Sequence, residues 1–212
     1  MVGPNRIIQD LRRARVLVAH PRDEDGDVLV SHLRRLGCEV RAIWPLPASL
    51  PPDIDTLFLH IEDTSVEHAV QISEAQQPAI IAILTYESPT ALQAIIDLNA
   101  HGVISKPLRP LGILTQFALA RYRHSYEKRL VGKVQKLEET LKGRRLVEKA
   151  VAALRAMNSL DEDSAYKLLR DQATAKRVPM SQVAESIVAA HDTMRSFGLP
   201  LPGSTVKKTT ET

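Results

Sequence analysis

The chain has 212 residues, 44% hydrophobic and 4% aromatic, with one cysteine and a net charge of +3. That length holds one large or two small domains, the lone Cys38 excludes an internal disulfide and fits a reducing compartment, and the longest apolar stretches, near 79–84 and 147–154, fall far short of a bilayer span. A soluble cytoplasmic protein without a membrane partner is expected. The charge is uneven: residues 1–120 carry 10 Lys/Arg against 14 Asp/Glu, residues 121–180 carry 15 against 8, and residues 181–212 carry 3 of each. A surplus of +7 confined to residues 121–180 is what a polyanion-binding module carries. A solvated helix surface with spare cations stays open as the plainer explanation.

Residues 15–19, 38–43, 56–60, 80–84 and 102–105 are short, apolar and often β-branched, as buried parallel strands are. Helical patterns lie between them. Asp25–Leu36 places Val28, Leu29, Leu33 and Leu36 on one face, with Gly37 as the stop. Ser88-Pro89 opens another helix, carrying Leu92, Ile95, Ile96 and Leu98. The segment 44–54 holds four prolines, which predicts an irregular second crossover. Five strands with such crossovers predict an α/β flavodoxin-like, doubly wound sheet over residues 1–120.

In such a sheet, chemistry sits at the carboxyl ends of the strands. Here the first strand ends in His20-Pro21 and the third in His60, while Leu84-Thr85 ends the fourth and Lys106-Pro107 follows the fifth. The arrangement resembles a phosphorylated receiver domain whose acids are gone. The resemblance puts His60 at the phosphoacceptor position, and neither imidazole nor proline supplies the hard carboxylate oxygens that Mg²⁺ and phosphoryl transfer need. Asp23, Glu24 and Asp25 remain as acids near the first strand, and Lys106 is expected to serve the fold or an interface. His20 and His60 should lie close together, but no third ligand is evident, so neither a metal nor a cofactor is expected. No nucleophile–base set and no Gly-rich phosphate loop stands out, and the chain reads as no enzyme.

From about Ile113 a long helical pattern runs without proline until Pro179. Leu130, Val134, Leu137 and Leu141 repeat at spacings of 4, 3 and 4, the seam of a coiled coil. Residues 121–143 are therefore expected to be a coiled-coil linker that joins two chains in a homodimer, with an amphipathic helix packed on its own domain as the alternative. Beyond Arg144 the apolar face moves to Val147, Ala150, Val151 and Leu154. A break follows at 157–159, where Ser159 and Glu162 have capping-box spacing and Asp161 is an alternative cap. The next helix, 161–176, should bury Ala165, Leu168, Leu169 and Tyr166. Pro179 opens a last helix with Val183, Ala184, Ile187 and Val188 on one side. Residues 144–197 thus form a three-helix all-α module, and 198–212, rich in Pro, Gly, Ser, Thr and Lys, read as a disordered tail.

The run Arg144-Arg145-Leu146-Val147-Glu148-Lys149-Ala150, then Leu154, Asp161 to Tyr166, Leu169-Arg170, Ala173, Val183-Ala184-Glu185 and Ile187-Val188, resembles the ANTAR family of RNA-binding antiterminators. Gly37-Cys38, Trp44-Pro45 with Pro47, Tyr86-Glu87-Ser88-Pro89 and His101 to Ile104 resemble the amidase-operon branch of that family, so the likeness covers nearly the whole chain to about residue 192. It implies an antitermination regulator that binds hairpins in leader mRNA and so prevents a terminator from forming. It also implies control by sequestration, through a small-amide-sensing negative regulator of the periplasmic-binding-protein type, in place of phosphorylation. Two positions depart from the family pattern: Val151 stands where Lys is usual, and Arg155 where Met commonly ends the run.

Arg144, Arg145, Lys149, Arg170, Lys176 and Arg177 are the candidate RNA contacts, with Arg144 or Arg145 suited to a bidentate phosphate or guanine contact. Tyr166 could stack on a base, but its neighbours favour a core position. A DNA-binding relative of response regulators remains an alternative. It would need a tight turn between short helices, yet glycine is absent from 144 to 197. A dimeric adaptor without nucleic acid is the third reading, and it leaves the basic block unused.

Overall fold

Five apolar runs form five parallel strands: β1 (Arg15–Ala19), β2 (Glu39–Ile43), β3 (Thr56–His60), β4 (Ala79–Leu84) and β5 (Gly102–Ser105). The computed structural model describes residues 4–61 and 66–197. The sheet order is β2-β1-β3-β4-β5, the flavodoxin-like order, with Val18 registered against both Ala42 and Phe58. Every residue of β3 and β4 is buried, which explains runs without polar alternation.

The helices are α1 (Pro4–Arg12), α2 (Glu24–Leu36), α3 (Val66–Gln76), α4 (Pro89–Asp97), α5 (Pro110–Asn158), α6 (Glu162–Lys176) and α7 (Met180–Ser196). α2 starts where the Asp23 carboxylate accepts from Gly26 N–H, and it stops at Gly37, whose φ of 97° is left-handed. α4 is capped by the Ser88 hydroxyl accepting from Ala91 N–H, with Pro89 in its first turn. No helix forms between β2 and β3, as the prolines of 44–54 predict.

Strand alternation sorts side chains onto two faces. Val16, Val18, Phe58, Ile81, Ile83 and Ile104 pack with Leu29 and Leu33 of α2 and Ile113 and Phe117 of α5. Phe58 and Phe117 meet edge to face with centroids 5.5 Å apart. Leu17, Ala19, Leu57 and Leu59 pack on the other side against Ala69 and Ile72 of α3, Leu98, and Leu50 and Ile54 of the irregular crossover. Each buried aliphatic or Phe side chain contributes roughly 1.5–3 kcal/mol. The chain thereby divides into two compact units, Met1–Leu130 and Val131–Thr212.

α1 is not foreseen by the sequence reading. It contributes Leu11, whose carbonyl accepts from the Cys38 thiol at 3.2 Å. Cys38 is a buried core residue, and burial pushes its thiol above its ordinary pKa.

In the second unit the last turns of α5 pack with α6 and α7. Ala150, Val151, Leu154, Ala165, Leu169, Ala173, Val183 and Ala184 form its core, with Ile187 and Val188 partly buried. The helix break falls at Asn158, and Asp161 is the N-cap of α6. Two expectations are corrected. Leu168 is 38% and Tyr166 45% exposed, because a module of three helices covers only the narrow stripe 165–169–173 on α6. The tail expected at 198–212 lies outside the described residues.

Candidate nucleic-acid interface

The strand ends of the first unit hold a closed polar cluster. His20 and His60 rings lie 4.8 Å apart, both buried. His20 Nδ1–H donates to the Pro21 carbonyl at 2.8 Å and lies 3.5 Å from Asp23. His20 Nε2 is buried and has no hydrogen-bond partner among the described residues. His60 Nε2 bonds the Thr85 hydroxyl at 3.0 Å. The Lys106 ammonium donates to Asp23 at 2.8 Å and sits 3.8 Å from Asp25, whose other oxygen accepts from Leu108 N–H at 2.6 Å. Asp23 and Asp25 are thus engaged by an internal cation and by backbone donors. Burial acts to raise the Asp23 pKa, but the Lys106 and Gly26 hydrogen bonds outweigh it and hold the carboxyl below its ordinary value. Of the two roles the sequence leaves open for Lys106, fold or interface, these ion pairs belong to the first.

Where α5 leaves the sheet, Arg121 clamps it. Its guanidinium donates to both Asp10 oxygens at 2.7 and 3.0 Å, to Asp55 at 2.7 Å and to the Thr56 hydroxyl at 2.9 Å. One side chain therefore ties α5 to α1 and to the start of β3. A turn further on, Glu127 reaches His101 at 3.3 Å, and His124 bonds the Gln77 carbonyl at 2.8 Å. Beyond these contacts the heptad residues Leu130, Val134, Leu137 and Leu141 are 43%, 55%, 63% and 51% exposed in the single chain.

In the second unit all six predicted RNA contacts, Arg144, Arg145, Lys149, Arg170, Lys176 and Arg177, are exposed. The structure distributes them unequally. Arg144 lines a cleft of about 590 Å³ with Val151, Arg155 and Tyr166. Lys149 lies in a second depression of about 510 Å³, beside His191 and Arg195 of α7. Arg145, Arg170, Lys176 and Arg177 line neither. The Arg170 guanidinium has an exposed contact with Asp171 at 3.9 Å, which restrains it little. Lys176 ends α6, and Arg177 is its left-handed cap with φ of 54°.

Arg155, Tyr166 and Arg195 line these clefts without being among the predicted contacts, although Tyr166 is weighed in the sequence as a stacking residue and set aside for the core. A signal was present for the first: positions 144, 148, 151 and 155 recur at helical spacing, so Arg144 and Arg155 share a face. The overlap of Tyr166 with an apolar pattern hid the second.

A receiver-like sheet without an acceptor carboxylate, followed by a long helix and a basic three-helix module, defines a class of regulators that carry an ANTAR domain. The comparisons agree. The model of the AmiR N-terminal family matches residues 14–121, and the ANTAR domain model matches 135–188. The chain belongs to the AmiR family of ANTAR-domain transcription antitermination regulators. It is 32% identical over 190 residues to the aliphatic amidase regulator of Pseudomonas aeruginosa, covering 88% of this chain and 97% of that protein. It is 25% identical over 123 residues to the transcriptional regulatory protein PdtaR of Mycobacterium tuberculosis, covering 58% and 60%. A receiver domain of Methanospirillum hungatei superposes with a TM-score of 0.45 at 15% identity, over 54% of this chain and 98% of that one. Among the described residues no helix is long and apolar enough to cross a membrane.

Proposed function

We propose that this antitermination regulator acts as a homodimer that binds hairpins in a leader mRNA and holds them against the competing terminator. Such a step needs binding only. Hairpin loops expose base edges that an A-form stem hides, so loops carry sequence identity while phosphates carry salt-dependent affinity. The observation that carries the reading is the exposed basic face of α5, with Arg144 and Arg155 over one cleft and Lys149 over another, inside the segment that matches the ANTAR model. Arg145, Arg170, Lys176 and Arg177 are backbone contacts in this reading.

The domain roles follow. Residues 1–120 are a pseudo-receiver, with His60 at the lost acceptor position, 121–143 a coiled-coil linker and 144–197 the RNA-binding module. Leu130, Val134, Leu137 and Leu141 form the dimer seam, which supplies two RNA-binding heads. An exposed apolar heptad stripe on a single chain supports this, since such surface is unfavourable unless covered.

Control comes from a partner and not from phosphate. The kinship with an aliphatic amidase regulator supports a small-amide sensor of the periplasmic-binding-protein type that sequesters the antiterminator until inducer arrives. A difference of about 3 kcal/mol between the sensor's two ligand states, over a hundredfold in affinity, makes an effective switch. Cytoplasmic location belongs to this reading.

The test is transcription in vitro across the leader of the neighbouring operon. Adding purified protein should raise read-through of the terminator without any small molecule. The sensor should abolish the effect and inducer should restore it. Read-through that stays at the protein-free level overturns the proposal.

A further inference from the structure

We propose that the cleft between α5, α6 and the start of α7 seats one unstacked base from an RNA hairpin loop, with Tyr166 as the stacking surface and neighbouring carboxylates reading the base's exocyclic amine. The inference rests on the RNA-binding reading and gives it a loop-recognition site.

Tyr166 is 45% exposed although it lies on a helix whose other face is core. It borders a cleft of about 590 Å³, room for a base with its sugar. Val147, Val151 and Met180 supply an apolar floor. An aromatic wall over an apolar floor suits the faces of a nucleobase, and base–aromatic stacking is a main source of affinity for single-stranded nucleic acid.

The charges separate base from phosphate. Arg144 and Arg155 border the cleft eleven residues apart, three helical turns or roughly 16 Å along α5. Glu148, Glu162 and Asp163 also border it. A phosphate placed centrally would meet three carboxylates. A base edge would not: cytosine N4, adenine N6 and guanine N2 donate, and carboxylates accept from them. The arginines at the two ends suit the flanking phosphates. Arg155 lies 3.6 Å from Glu162, but both groups are solvent-exposed, so that pair holds the guanidinium weakly. Val151 and Arg155 both line this cleft.

The full-length protein can be offered a library of RNA hairpins with one fixed stem and a randomised loop. The native chain should enrich loops with an amine-bearing base at one fixed position. Changing that base to uracil should cost affinity. Tyr166→Ala should weaken the selected hairpin on the order of tenfold to a hundredfold, leave the fixed stem with a scrambled loop unaffected, and flatten the base preference. Tyr166→Phe should bind like the native chain. A photoreactive form of the selected base, 5-iodocytosine for cytosine or an 8-azidopurine for adenine or guanine, should crosslink to Tyr166 of the unmodified protein, a readout independent of any variant's folding. Loop selection with unchanged ranking in Tyr166→Ala, or crosslinks confined to other residues, overturns the cleft while RNA binding stands. If the native chain enriches no hairpin, RNA binding itself falls and the cleft with it. Failure of RNA together with capture of an apolar peptide at Tyr166 would make the cleft a protein-docking site.

Discussion

The Lys106 ammonium and the Asp23 carboxylate lie 2.8 Å apart, joining the loop after β5 to the N-cap of α2. In a phosphorylated receiver the acids near β1 hold Mg²⁺; here one of them is engaged by an internal cation, and the end of β3 is an imidazole. Incubation with acetyl phosphate and Mg²⁺ should leave both the intact mass and the RNA affinity unchanged. An acyl-phosphate adduct, or an acid-labile phosphohistidine at His60, would contradict this reading.

The heptad stripe gives a second expectation. Val134→Glu with Leu137→Glu puts four carboxylates into a paired seam, and burying unpaired charge costs several kcal/mol. Sedimentation of the double variant should show a monomer at micromolar concentration, where the native chain should run as a dimer. An unchanged dimer removes the coiled coil from the account.

Arg121 should matter to the first unit out of proportion to its position on a charged helix. Its side chain is 16% exposed; burial works to lower its pKa, but the bonds to Asp10 and Asp55 outweigh burial and raise it, and the bond to Arg121 lowers the pKa of Asp10. Arg121→Met removes the partner of two partly exposed carboxylates, at a cost of about 1–2 kcal/mol, less than for a fully buried pair because solvent screens Asp10 and Asp55. Urea denaturation should show an earlier transition. A midpoint within error of the native chain would mean the clamp contributes nothing net.

His101 sets a pH dependence. Its Nδ1 accepts from Ile80 N–H at 3.1 Å, so Nε2 carries the proton toward Glu127. Burial lowers the His101 pKa below the ordinary 6.5, with Arg123 and Lys128 acting the same way against the pull of Glu127. Burial lowers His124 and His32 as well. The unfolded chain therefore binds more protons in this range. The stability linked to these groups is complete above pH 6.5 and is lost as pH falls from 6.5 through the folded values. Melting temperature should drop over that window. His101→Asn, which keeps an acceptor for Ile80, should drop less. Parallel curves for the two proteins would exclude His101 as a contributor.

Much of this was legible in the chain, for physical reasons. β1, β3 and β4 are unbroken apolar runs, which only a doubly covered sheet accommodates. Gly37 and Ser88-Pro89 are local signals, and they ended and began helices where expected. The heptad spacing of Leu130 to Leu141 needs no tertiary context to be seen. α1 was not legible, because Ile7 and Ile8 are exposed and Leu11 is its one buried apolar anchor. The Arg121 clamp joins residues 66 and 111 positions apart, which no local pattern encodes. Tyr166 and Leu168 fit a helical apolar stripe, yet a small module covers only part of that arc. Arg155 stands out in the sequence only as a departure from a pattern, because the helix face it shares with Arg144 is not read there.

The most direct measurement is the affinity of the full-length protein for the transcribed leader of its neighbouring operon, offered as RNA and as duplex DNA of the same sequence over a salt series. The account predicts tight binding to the RNA alone, with no small molecule or modification, and an affinity that falls steeply as salt releases counterions from phosphate contacts. Equal or tighter binding to the duplex, or RNA binding that appears only after a ligand or phosphodonor is added, would contradict it.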